Sequence, residues 1–434
     1  MQSQGSLEYL SGLSSTVIRL GLGPISRLLE RLNNPQQKYE TILIAGTNGK
    51  GSIAAMTASI LSQGGFRCGL YTSPHLIDVR ERIRINGRMI SPEKMDKIIE
   101  EVKKHLLEDV TYFEFLTAVA FLHFYRENVD IAVLEVGMGG RLDATNVVTP
   151  AVSVISNISL DHREYLGNHL RDIAHEKAGI IKNGGLCISA AKQKSVIKVL
   201  EDICCERRAK LYLIGRDIKV RMHRRCTFSY RGIAETYHNL ICSLIGRHQI
   251  ENAALAIGTI ELIVARGFHV DEGAIYRGMK DTPWEGRLEI LQHAPMLLVD
   301  GAHNPAGVSV LCRALREFFF YKKLILIFGV LNDKDYRAML NKLVFLADKL
   351  IITRPNIDRA VHPQEVAAVA KWYKNQVEIW EKPSEALQRA LVMADKEDLI
   401  CVTGSLYLVG EIKQAFTGIL VTTQESEFRS QNPE

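Results

Sequence analysis

The feature that most restricts this fold is an apolar run that ends in a glycine-rich turn and restarts as a helix. TILIA (41–45) reads as a buried strand, Gly46-Thr47-Asn48-Gly49-Lys50-Gly51-Ser52 as the turn, and Ser52 to Ser62 as a helix. A strand feeding a helix in this way is the unit of a parallel sheet covered by helices. Backbone N–H groups in such a turn, with the helix N-terminus, can cradle phosphates. Lysine adds a point charge for the outer phosphates, and a serine hydroxyl can reach a magnesium ion. The spacing departs from G-x-x-x-x-G-K-[ST], because Gly49 follows Gly46 closely and Gly51 stands between Lys50 and Ser52. A tight structural turn is the competing reading.

The same alternation continues along the chain. IAVLEV (131–136) and AVSVIS (151–156) read as buried strands, and residues 113–126 as a largely buried helix. A second series follows: MLLVD (296–300), a helix near 305–318, KLILIFG (323–329), DKLIITR (348–354) and DLICVTG (398–404). The fold class expected is α/β: a P-loop-type ATPase domain with a parallel sheet, then a smaller, Rossmann-like C-terminal α/β domain. The domain boundary is placed near Arg287–Leu291, giving domains at 1–287 and 288–420. Residues 215–245 read as a β-rich insertion, and the polar tail at 421–434 as disordered.

Composition narrows the partners. A formal charge of +5 over 434 residues, with no basic block interleaved with aromatics, argues against nucleic acid. The eight cysteines contain no C-x-x-C, so neither a structural zinc site nor a redox pair is expected. The start, MQSQGSLEYLSGL, lacks the basic and apolar regions of a signal peptide, and no apolar run approaches the length of a membrane span. A cytoplasmic, monomeric enzyme with no membrane partner is expected.

Two carboxylate- or histidine-bearing segments fall where that sheet would place them beside the turn. Glu135 lies near the carboxyl end of its strand, and Asp161-His162 follows the next one. Ligands of open α/β sheets bind at that edge. Taken alone, Glu135 reads equally as a strand-end cap, and a lone histidine is more often structural than a ligand.

GTNGKGS resembles the ATP loop of the Mur ligase superfamily, and further segments narrow the resemblance to folylpolyglutamate and dihydrofolate synthases. These are LNNPQ (32–36), TSPHL (72–76), ERIRING (81–87), FEFLTAVAF (113–121), LEVGMGGRLDATN (134–146) and DHREYLG (161–167). HEKAGIIKNGG (175–185), GRHQIENAALA (246–256), WEGRLE (284–289), DGAHNPAG (300–307) and GSLYLVGEI (404–412) continue the series. They run in family order over nearly the whole chain. Two positions depart from the family's usual pattern: Glu285 where proline is common, and His169 where threonine is common.

The resemblance implies an ATP- and Mg2+-dependent ligase. Its substrates would be L-glutamate and the γ-carboxylate of tetrahydrofolate, with dihydropteroate as a possible second acceptor. It assigns Gly49, Lys50, Gly51, Ser52, Asn252, Arg287 and Asp300 to ATP. Ser52, Ser73, Glu135 and His162 fall to the metal. Thr111, Tyr112, Phe113, Glu114, Leu142, Asp143 and Ala144 fall to the folate, although Tyr112 and Phe113 also fit the buried cap of a helix. Lys50, Lys177, His303 and Asp300 are the expected catalytic groups, and Lys177 is expected to be carbamylated. Its bland reading is a surface lysine paired with Glu176 or Asp172. The implied chemistry phosphorylates the carboxylate and lets the glutamate amine attack the acyl phosphate, with closure of the domains excluding water. Another Mur-type amino-acid ligase and a nucleotide-switched binding module are the alternatives.

Overall fold

A computed structural model describes residues 9–10, 12–13, 19–373 and 376–431, with side chains through residue 419. The chain divides into two units, Met1–His75 with Val79–Pro283, and Leu76–Asp78 with Trp284–Glu434.

The first unit is built on an eight-stranded sheet. Its strands are β1 (Glu40–Ala45), β2 (Cys68–Tyr71), β3 (Ile83–Ile85), β4 (Arg88–Met89), β5 (Ile131–Glu135), β6 (Val152–Ile155), β7 (Leu186–Ser189) and β8 (Lys210–Leu213). Their order is β4-β3-β2-β5-β1-β6-β7-β8. From β2 to β8 every pairing is parallel, and β3 and β4 add an antiparallel edge. The central strands are buried along nearly their whole length, which is why they read as unbroken apolar runs. Four helices matter for the site: α1 (Lys50–Gln63), α2 (Tyr112–Arg126), α3 (Leu170–Ala178) and α4 (Arg247–Val264). Helix α1 starts at Lys50, after Gly49 in a left-handed conformation (φ +87°), so lysine itself opens the helix.

The expected insertion is a three-stranded antiparallel sheet of β9 (Lys219–Arg224), β10 (Thr227–Arg231) and β11 (Thr236–Ile241). Glu261 of α4 anchors it. The carboxylate accepts the Tyr230 hydroxyl (2.6 Å) and the amides of Ile233 (2.9 Å), Ala234 (3.2 Å) and Glu235 (2.8 Å). Four bonds satisfy a carboxylate that burial would otherwise penalise.

The second unit carries β12 (Glu289–His293), β13 (Met296–Val299), β14 (Leu324–Phe328), β15 (Lys349–Ile352), β16 (Val377–Ile379) and β17 (Leu399–Thr403). They stand in the order β12-β13-β17-β14-β15-β16, with only β12 antiparallel to its neighbour. Its helices include α5 (Pro305–Phe318), capped by Asn304, and α6 (Leu406–Gln431). The units part between Pro283 and Trp284, ahead of the expected Arg287. The WEGRL turn is held by second-unit groups: Gly286 N–H donates to Glu289, Leu288 N–H to Asp300, and Gly301 N–H to the Gly286 carbonyl. The tail, expected to be disordered, continues α6 as far as Gln431, since neither glycine nor proline interrupts it after Gly418. Residues 432–434 lie outside the described residues. No described helix is long and apolar enough to cross a membrane.

Candidate active site

The glycine turn leaves the carboxyl end of β1, and the loop after β6 holds it in shape. Ser156 and Asn157 both reach the Asn48 peptide. The Ser156 hydroxyl donates to the Asn48 carbonyl (2.7 Å), the Asn157 carboxamide donates to the same carbonyl (3.0 Å), and its oxygen accepts the Asn48 N–H (3.2 Å). Thr47 adds a reciprocal pair with the Ser159 backbone, at 3.1 Å in each direction. Gly46 must be glycine for this closeness. It sits at φ +145°, and a Cβ there would lie 1.8 Å from the Ser156 hydroxyl. A Cβ on Gly49 would lie 2.6 Å from the Asn252 side-chain oxygen. Asn252 is fixed by Gln249 (2.9 Å), whose own amide approaches the Ser52 hydroxyl at 3.4 Å. Thus α4 presses Asn252 against the turn, while Lys50 Nζ approaches the Thr47 carbonyl at 3.4 Å.

Lys177 is the most informative side chain in this region. It is buried, and its ammonium donates to the Gly46 carbonyl at 2.8 Å. Burial, reinforced by the Lys50 charge, pulls its pKa down to about 7, while Asp161 and Asp143 act in the opposite direction. The surface reading of Lys177 fails, because its expected partners are engaged elsewhere. Glu176 pairs with Arg141 (2.7 Å), and Asp172 accepts the His169 amide (3.1 Å) at the start of α3. Gly140 and Gly179 explain how α3 comes so close. A Cβ on Gly140 would lie 2.8 Å from the Glu176 carbonyl, and one on Gly179 2.5 Å from Arg141 Cα.

The metal candidates come from the ends of four neighbouring strands, β2, β5, β1 and β6. The Ser73 N–H donates to Glu135 at 3.0 Å, linking the ends of β2 and β5. His162 follows β6 in a left-handed conformation (φ +49°), an unusual state for histidine, and its own N–H donates to Asp161 (2.9 Å). Among the described residues, no three His, Cys, Asp or Glu side chains gather as a cage. Ser52 and Ser73 hydroxyls with the one carboxylate of Glu135 suit a hard ion that keeps waters and takes further oxygens from a phosphate ligand. The His162 nitrogen is the least suited of the four.

The folate candidates split into two groups. Thr111 and Glu114 form a capping box at the start of α2: Glu114 accepts the Thr111 N–H and hydroxyl, both at 2.8 Å, and Thr111 accepts the Glu114 N–H (3.2 Å). The other Glu114 carboxylate oxygen is buried without a partner, which is costly unless a ligand donor meets it. Phe113 lies over Gly137, where a Cβ would come within 2.7 Å of the ring, and tilts against Tyr71 with centroids 6.0 Å apart. Asp143, by contrast, holds its own loop. It accepts the amides of Met138 and Thr145, each at 3.0 Å, and burial raises its pKa. Leu142 is half-buried and Ala144 buried beside it.

In the second unit, Asp300 accepts the amides of Leu288 (2.9 Å) and Ala302 (3.0 Å). Burial pushes its carboxyl up, and Arg287 opposes this. Its oxygens therefore fix the turn that carries Arg287, whose guanidinium approaches the Gly301 carbonyl at 3.4 Å. His303 Nδ1 lies 2.9 Å from that same carbonyl. A carbonyl can only accept, so Nδ1 carries the proton and Nε2 is the basic nitrogen of the neutral ring. Glu285, the departure from the family pattern, pairs with Lys413 of α6, which also bonds both oxygens of Glu289 (2.8 and 3.0 Å).

Sequence reasoning missed the groups that shape the turn: Ser156, Asn157 and Gln249. The only signal was the placement of AVSVIS as a neighbouring strand, which brings its end to the same edge.

A phosphate-type turn at the carboxyl edge of a parallel sheet, followed by a separate α/β unit, defines the architecture of a Mur-type ligase. Residues 44–260 match the Mur ligase middle domain, and residues 286–406 the Mur ligase glutamate ligase domain. The chain belongs to the folylpolyglutamate synthase/dihydrofolate synthase family of these ligases. It is 33% identical to the dihydrofolate synthase/folylpolyglutamate synthase of Bacillus subtilis, over 95% of this chain and 98% of that one. The structure of Mycobacterium tuberculosis folylpolyglutamate synthase complexed with ADP is 32% identical, with TM-score 0.90, covering 96% of this chain and 98% of that one. E. coli FolC in complex with DHPP and ADP is 28% identical, with TM-score 0.87, over 96% and 98% of the two chains.

Proposed function

We infer that this chain is an ATP-dependent ligase that forms an amide between L-glutamate and the carboxylate of a pteroyl substrate. Tetrahydrofolate is the proposed acceptor, and dihydropteroate is the second candidate. The observation that carries the reading is the buried Lys177 ammonium, 2.8 Å from the Gly46 carbonyl in the phosphate turn. A buried lysine with its pKa near 7 is an amine prepared for chemistry rather than for packing.

A carboxylate oxygen of the substrate attacks the γ-phosphorus of ATP, ADP leaves, and an acyl phosphate results. The glutamate amine then attacks the acyl carbon, and inorganic phosphate departs with the former carboxylate oxygen. Lys50 and the N–H groups of Gly49, Gly51 and Ser52 are assigned to the phosphates, which meet the N-terminus of α1. Asn252 holds the turn in shape. Arg287 is assigned to the ATP phosphates through its guanidinium fork, and Asp300 to holding Arg287. His303, whose Nδ1 lies against the Gly301 carbonyl, is assigned to the amine, which must lose a proton to attack.

Ser52, Ser73, Glu135 and His162 would hold Mg2+, which would screen the meeting of two anions when bound. Lys177 is assigned a carbamate: its neutral amine adds carbon dioxide and loses a proton, leaving a carboxylate where a cation stood. Phe113, Tyr112, Glu114 and the 142–144 loop are assigned to the pterin, with the unpartnered Glu114 oxygen as the acceptor for ring N–H groups. The enzyme works as a cytoplasmic monomer on this reading.

The test is to offer dihydropteroate and tetrahydrofolate separately with ATP, magnesium and labelled glutamate. Label should enter an amide product with tetrahydrofolate. Incorporation with neither acceptor, alongside steady ATP turnover, would favour the nucleotide-switched module instead.

A further inference from the structure

Arg82 is a buried charge in the first unit that none of the roles above uses. It is the last residue of a short helical turn (Val79–Arg82) after β2 and is 7% exposed. Its Nε–H donates to His75 Nδ1 at 2.9 Å, and its guanidinium carbon lies 5.5 Å from the centre of the Tyr112 ring. The two neighbours are an imidazole nitrogen and a ring face. Among the described residues, no carboxylate forms an ion pair with it. A mostly buried guanidinium that has a ring face and an imidazole nitrogen beside it suits a ligand anion.

The two neighbours also fix where the guanidinium stands. His75 belongs to the same turn as Ser73, whose N–H reaches Glu135. Tyr112 adjoins Phe113, which lines the opposite, aromatic side with Tyr71 and Gly137. Arg82 therefore bridges the segment assigned to the metal and the segment assigned to the pterin. With the pterin assigned to Tyr112–Phe113 and the reacting carboxylate directed at the metal segment, Arg82 stands between the two ends of the substrate.

We propose that Arg82 anchors a tail carboxylate of the pteroyl substrate through the two terminal nitrogens of its guanidinium. The inference rests on the assignment of the Tyr112–Phe113 segment to the folate. A planar fork matches a carboxylate in a way that lysine cannot, so the anchor orients the substrate as well as attracting it. Two carboxylates share this chemistry: the one that is phosphorylated, and the α-carboxylate of a glutamyl tail, which dihydropteroate lacks.

The experiment is a binding cycle between residue and ligand. Dissociation constants are measured without ATP for dihydropteroate, for tetrahydrofolate and for their carboxamide analogues, with the wild-type protein, Arg82→Gln and Arg82→Lys. In the wild type, replacing the anchored carboxylate by carboxamide should weaken binding on the order of 10- to 100-fold. In Arg82→Gln the same replacement should change little. If dihydropteroate and tetrahydrofolate both show this coupling, the fork holds the reacting carboxylate. If only tetrahydrofolate does, it holds the α-carboxylate. Equal carboxylate dependence in wild type and variant overturns the proposal. Should Arg82→Gln not fold, Arg82→Lys carries the test, with a smaller but still carboxylate-dependent loss expected. Phe113→Ala separates the two ideas. If it leaves pteroyl binding unchanged, the folate assignment fails. If it weakens binding while the Arg82 cycle shows no coupling, only the anchor fails.

Discussion

Replacing Lys177 by methionine should stabilise the protein and inactivate it, and the stabilisation should depend on pH. Unfolded, the ammonium titrates near its ordinary value of 10.5, and folded near 7. At about 1.4 kcal/mol per pKa unit, the charged form costs the folded state on the order of 5 kcal/mol. Below pH 7 the lysine is protonated in both states, so the full cost weighs against folding. As pH rises from 7 towards 10.5 the folded lysine is neutral while the unfolded one is still charged, and the cost fades. The Lys177→Met advantage, reduced by about 1 kcal/mol for the lost bond to the Gly46 carbonyl, should be largest near pH 6 and small near pH 10. Urea unfolding midpoints in CO2-free buffer at several pH values provide the readout. In a second arm, wild-type protein with 13C-bicarbonate should show a carbamate resonance that Lys177→Met lacks. A stability difference that stays constant from pH 6 to pH 10 would mean that burial does not depress the Lys177 pKa.

Asn157→Ala removes both hydrogen bonds to the Asn48 peptide. At about 1 kcal/mol each, the KM for ATP should rise roughly 10- to 100-fold while the KM for the pteroyl substrate holds, so steady-state titration of the two substrates checks it. Arg287→Ala should weaken ATP use on the order of 2–4 kcal/mol in kcat/KM and leave pteroyl binding intact. Impaired pteroyl binding with unchanged ATP dependence would remove Arg287 from the phosphates.

The parts of this account that were legible in the sequence are those written locally. TILIA and its glycine turn show their strand and helix because both faces of the sheet are covered, so β1 is buried from Thr41 on and apolar from Ile42 to Ala45. The start of α5 was readable for the same local reason, since Asn304 caps it ahead of Pro305. What stayed hidden depends on long-range closeness. Asn157 grips a peptide that is distant in sequence, and no spacing rule connects them. Lys177 reads as one charge among Asp172, Glu176 and Arg171. Only the glycine contacts at Gly140 and Gly179 bring α3 close enough to bury it. Arg82 sits in a segment, ERIRING, where its charge looks like one of several, and Arg84 beside it is only half-buried. The units part a few residues ahead of the expected boundary, at a turn held by hydrogen bonds rather than at a proline- or glycine-rich linker.

On the proposed mechanism the substrate carboxylate is activated as an acyl phosphate, and the fate of its oxygens reports this directly. Tetrahydrofolate carrying 18O in both γ-carboxylate oxygens, incubated with ATP, magnesium and glutamate, follows the oxygen that leaves. One 18O is expected in the released inorganic phosphate and one in the amide carbonyl, with ADP as the unlabelled nucleotide product. Recovery of the label in AMP, or unlabelled phosphate accompanying amide formation, would contradict it.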